Sequence, residues 1–77
     1  MIPQVLEAVQ DAFHTSNVTS RLRENEGRVF GSVTVEGSIE FDSLDGIRRQ
    51  QRLWDALEKH LGVARAIKVG PIVLEPQ

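Results

Sequence analysis

Cysteine is absent from this 77-residue chain, and with it the disulfides and thiolate zinc sites that hold many small domains together. Only His14 and His60 offer imidazole, at no paired spacing, so no zinc or haem ligand set is expected within one chain. No run approaches the roughly 18 apolar residues of a membrane span, and MIPQVLEAVQ lacks the charged start and apolar stretch of a signal peptide. A cytoplasmic location, away from any membrane, is therefore the expectation. An excess of positive charge is also missing. The formal net charge of −2 argues against strong non-specific binding to nucleic acid, which scales with the phosphates neutralised, while leaving room for a local basic patch. Catalytic signatures are missing as well. The serines lie in no nucleophile-elbow pattern, Gly27 and Gly31 fit no phosphate loop, and Asp42, Asp45 and Gly46 lack the spacing of a calcium loop. A protein that is not an enzyme and carries no cofactor is expected.

What is present suits one folded domain spanning residues 1–77: 40% of the residues are apolar and 26% charged. So small a chain buries only about 60–65% of its unfolded surface, so packing alone, or packing against a second chain, has to stabilise it. Ile2, Val5, Leu6, Val9 and Phe13 recur at helical spacing, with Pro3 tolerated in the first turn. Val18, Ser20 and Leu22 alternate with Thr19, Arg21 and Arg23 as in a half-buried strand, and Glu24-Asn25-Glu26-Gly27 reads as a turn. From Val29 to Phe41 the apolar residues keep to odd positions, except Phe30. This predicts either a hairpin with a three-residue loop at Glu36-Gly37-Ser38 or one long bent strand. Asp42 or Ser43 is placed to cap a helix, with Asp45 in its first turn, and Gly62 to end it. Ile67 and Val69, then Ile72 and Leu74 at the other parity, predict an edge strand bent at Gly70-Pro71. The expected fold is α+β. Two helices pack on one face of a small mixed sheet of three strands, or four with a short one, in the order α-β-β-α-β.

The stretch FDSLDGIRRQQRLWDALEKHL carries the candidate binding residues. At 100° per residue Ile47, Trp54, Leu57 and Leu61 gather as the core face, with Leu53 at its edge and Gln50 near its centre. Arg48, Arg52 and Lys59 fall opposite, among Asp45 and Asp55, and Arg49 flanks them beside His60. Pairs such as Arg52 with Asp55, or Asp55 with Lys59, have helical spacing. Two readings stay open: a solvated, internally paired face, or a docking stripe. In the second, Arg48, Arg49 and Arg52 offer guanidinium forks to phosphate or carboxylate, and Gln50 adds a hydrogen-bonding amide.

Phe41, the RRQQR run at Arg48 to Arg52, Leu53-Trp54, Ala56-Leu57, Leu61 and Pro76 resemble in layout the BolA-like family. The resemblance implies an α-β-β-α-β fold similar to one class of KH nucleic-acid domains. It also implies partnership with monothiol glutaredoxins through a shared iron-sulfur cluster and, for some members, DNA binding and transcriptional control. The family's characteristic histidine before the last strand aligns with Ile67 and its helix histidine with Gln50. Neither residue replaces imidazole as an iron ligand, so cluster sharing of the usual kind is not expected. Three functions follow as expectations. They are an adaptor or regulator that binds a protein, a KH-like nucleic-acid module using Arg48, Arg49 and Arg52, and a homo-oligomeric interaction domain, a homodimer among its forms.

Overall fold

The computed structural model describes residues 1–77. In chain order these form α1 (Ile2–Phe13), β1 (Val18–Asn25), β2 (Arg28–Val35), α2 (Ile39–Ser43), α3 (Gly46–Leu61), α4 (Val63–Ala66) and β3 (Val69–Pro76). The fold is α+β, with the order α-β-β-α-β read from the sequence and two short helices added around α3. No helix is long and apolar enough to cross a membrane.

Local chemistry explains most boundaries. Pro3 sits in the first turn of α1, where its missing N–H removes no helix bond. At the other end His14 takes a left-handed conformation at φ 49°, and its N–H donates to the Gln10 carbonyl. The β1–β2 turn is the two residues Glu26 and Gly27, with φ of 52° and 77°. Positive φ at both positions matches the right-handed twist of the paired strands and lets β1 run on to Asn25. Gly62 ends α3 at φ 82°.

The sheet order is β1-β2-β3, with β1–β2 antiparallel and β2–β3 parallel. β3 is an edge strand, and between Val29/Val69 and Gly31/Ile72 it carries one residue more than β2. That bulge falls at the expected bend, Gly70-Pro71, where proline contributes no ladder bond. Val29, Val33 and Val35 of β2 are buried beneath the helices, with Val69 and Ile72 of β3 beside them. The opposite parity faces away from every helix: Thr19, Arg21, Arg23 and Asn25 of β1, Arg28, Phe30, Ser32 and Thr34 of β2, Val73 and Glu75 of β3. None of these is buried.

The odd-position alternation does not continue as strand past Val35. Residues 36–38 form no hairpin loop, there is no fourth strand, and Ile39–Ser43 is a helix. Ser38 decides this. It is 4% exposed, its hydroxyl accepts from the Phe41 N–H at 3.1 Å as the N-cap of α2, and the same hydroxyl donates to the Phe13 carbonyl at 2.5 Å. Glu40 and Asp42 add negative charge in the first turn, where the helix dipole favours it. Phe41 is fully buried and meets Phe13 edge to face, with ring centroids 5.0 Å apart. Cap and aromatic pair outweigh a two-residue alternation. The cap of α3 also differs from expectation: it is Asp45, whose carboxylate accepts from the Arg48 N–H at 2.8 Å.

Two substitutions test this account by urea denaturation. Ser38→Ala leaves a buried carbonyl and a buried amide without partners and lowers stability by about 1–3 kcal/mol. Gly31→Ala is more damaging. At φ 135° its Cβ would drive into the Arg21 carbonyl across the hairpin, and loss of cooperative unfolding is expected.

Candidate binding groove

α3 sets the geometry of the site, and it is turned about its axis relative to its sequence pattern. The buried residues are Leu53, Ala56 and Leu57, whereas Ile47 is 74% exposed and Trp54 37% exposed. The buried stripe is rotated by roughly 90° from the most apolar one. Ile47 and Trp54 are therefore not core residues, as their spacing suggests.

Polar contacts line the inward flank. Arg49 lies over the Phe41 ring, its Cζ 4.0 Å from the centroid, and its Nε donates to the Phe41 carbonyl at 2.8 Å. A guanidinium stacked on a buried aromatic combines cation–π attraction with a charge-assisted hydrogen bond. One turn on, Arg52 Nη1 donates to Glu40 Oε2 at 2.6 Å and lies 3.5 Å from the Ala12 carbonyl. Glu40 also meets His14 Nδ1 at 2.7 Å, so α1, α2 and α3 are joined through one carboxylate. Near the other end of α3, His60 Nε2 and Lys59 Nζ lie 3.1 Å and 3.4 Å from Asp11 Oδ2. The pairs of Asp55 with Arg52 or Lys59 allowed by helical spacing do not form, because α1 and α2 supply other carboxylates.

The candidate residues thus separate. Arg49 and Arg52 point inward and are engaged within the chain, while the exposed Arg48 makes no side-chain bond inside it. Gln50 leans across to β3, where its Nε2 donates to the Ile72 carbonyl at 3.0 Å. This amide satisfies one acceptor of an edge strand.

Beside it the outward side of α3, formed by Gly46, Ile47, Gln50, Gln51, Trp54 and Asp55, is an open and largely apolar surface. From it a groove of about 230 Å³ continues between α3 and β3, from Gln50 and Trp54 over Leu57 to Gly70, Pro71 and Ile72. Together they run from the start of α3 to the bulge of β3. Their walls are an apolar helix edge, two glutamine amides and the margin of the sheet. Ile67, 60% exposed, borders neither, so Gln50 and Ile67 do not share the groove. No group of histidine and carboxylate side chains able to hold a metal ion is formed.

The groove was missed in the sequence because a helical wheel assigns burial by hydropathy alone. The arginines held the one available signal: Arg49 and Arg52, three apart, share a stripe with Leu53 and Ala56, so burying that stripe commits both to partners. Comparison of the chain with protein-family models, curated proteins and solved structures finds no match.

The carboxylate clusters predict a pH dependence. Hydrogen bonds from His60 and then Lys59 hold the Asp11 carboxyl below its ordinary value. The His14 hydrogen bond does the same to Glu40, with smaller help from the Arg52 charge. A carboxyl whose folded pKa is depressed adds stability above its unfolded pKa and loses it as pH falls through the folded one. Thermal unfolding across the acid range should show this decline, and Asp11→Asn with Glu40→Gln should flatten it.

Proposed function

We propose that the protein is a non-enzymatic adaptor of the BolA-like kind that works by holding a segment of a partner protein in the α3–β3 groove. One observation carries this: Ile47 and Trp54 stand exposed on a helix whose other flank is buried, and Trp54 borders the hollow between α3 and β3. Large apolar side chains left exposed beside a hollow suit an apolar side chain of a partner segment. Such a side chain packs between Ile47 and Trp54, as an anchor does at the centre of an interface. Gln51 and Asp55 at the rim give such a segment hydrogen-bonding and charge specificity.

The order α-β-β-α-β agrees with what the resemblance to BolA-like proteins implies, and that resemblance names a monothiol glutaredoxin as the first partner to try. Glutamine at 50 and isoleucine at 67 bring no imidazole to the family's two histidine places, so the proposed role is recognition rather than cluster ligation. The groove also favours a protein over the nucleic-acid reading of RRQQR, since Arg49 and Arg52 are spent on Phe41 and Glu40.

Titration calorimetry with a purified monothiol glutaredoxin should give a one-to-one complex. Trp54→Ala should weaken it by about 30-fold, as a central aromatic anchor does. Ile47→Asp should abolish it while shifting stability by less than about 0.5 kcal/mol. Absence of any complex would sink the glutaredoxin assignment. A concentration-dependent dimer that Ile47→Asp dissolves would overturn the partner reading in favour of a second copy in the groove.

A further inference from the structure

The face of the sheet turned away from the helices carries charge that nothing in the chain uses. The ion pairs of the molecule are Met1–Glu24, His14–Glu40, Arg52–Glu40, Lys59–Asp11 and His60–Asp11, and all lie among the helices or at the helix-facing side of β1. Arg21, Arg23 and Arg28 take part in none of them and are exposed. The strand register places them around one aromatic ring: Arg23 is directly opposite Phe30, Arg21 opposite Ser32 and Arg28 opposite Asn25. On this face β1 and β2 hold no carboxylate, because Glu24 has the other parity and meets the N-terminus. Among the strand residues its only acid is Glu75, opposite Thr34 and two pairing positions beyond Ser32; Glu26 lies in the turn that ends the hairpin. In a chain of net charge −2 this is a marked local separation.

We infer that this face binds single-stranded nucleic acid, with Arg21, Arg23 and Arg28 on phosphates and Phe30 as the platform for a base. Charge complementarity selects a polyanion, and the ring selects the kind. Phe30 is half-buried on a face that no helix covers, although its neighbours in sequence, Val29 and Gly31, face the core. An acidic peptide needs only the guanidiniums, whereas a single strand offers alternating phosphates and base faces, which suit forked cations set around an aromatic ring. Arg21 and Arg23, two residues apart on β1, stand about 7 Å from each other along the strand, so they reach successive anionic groups rather than one. Ser32 and Thr34 add hydroxyls to the same surface. The site lies on the opposite side of the sheet from the α3–β3 groove, so the two can be filled together.

Fluorescence anisotropy of a labelled oligothymidylate, titrated with the intact protein, tests this. Three phosphate contacts to a single strand predict a log–log salt slope of about −2, hence about 20-fold weaker binding at 200 mM than at 50 mM salt. The triple variant Arg21→Ala/Arg23→Ala/Arg28→Ala should lose binding, and Phe30→Leu should weaken it roughly tenfold with the slope unchanged. Circular dichroism checks that each stays folded; the single variants Arg21→Ala and Arg23→Ala replace any that does not, each lowering the slope by about 0.7. Amide shifts confined to β1 and β2 would support the placement. The inference is overturned by no binding at low salt, by equal competition from polyglutamate, by wild-type affinity in Phe30→Leu, or by loss of binding in Arg48→Ala.

Discussion

The hydroxyl of Ser38 is the joint on which the architecture turns. It accepts the Phe41 N–H and donates to the Phe13 carbonyl, so one buried side chain ends the strand reading, starts α2 and ties that start to the end of α1. Phe41 is then driven edge-on against Phe13. A hydroxyl buried without partners would be costly; with both satisfied it directs the chain where hydropathy alone would not.

From that joint the polar contacts of α3 follow. Phe41 presents its ring and carbonyl to Arg49, and Glu40, one residue earlier, presents its carboxylate to Arg52. Exposed ion pairs contribute little to stability, and the Glu40 pairs are no exception. Both arginines reach α2 from the side on which Leu53 and Ala56 are buried, while Ile47 and Trp54 face out. The proposed binding groove borders that outward stripe, and it sits beside the one strand edge that parallel pairing leaves near α3.

The two surfaces proposed for binding differ accordingly. One is apolar, bounded by glutamines, and made by helix rotation; the other is cationic, centred on Phe30, and made by strand parity. A three-stranded sheet with helices on one side necessarily leaves its other face to solvent, and here arginines occupy it. Arginine on an edge strand also discourages pairing with other sheets. A face kept open in that way stays accessible to an anionic chain.

Several features were legible in the sequence because they depend on a few neighbouring residues: α1 with its early proline, the turn at Gly27, the bend at Gly70-Pro71, the stop at Gly62, and the α+β order. Propensity, positive φ and missing N–H groups act locally and leave a local signature. The short helix at Ile39–Ser43 and the rotation of α3 were not legible. The first depends on Ser38 finding the Phe13 carbonyl 25 residues away, and the second goes with Arg52 finding Glu40 across 12. Hydrophobic periodicity shows which stripe of a helix is most apolar. Which stripe is buried was decided only in the folded chain, where α3 packs through Leu53, Ala56 and Leu57 and leaves an isoleucine and a tryptophan outside.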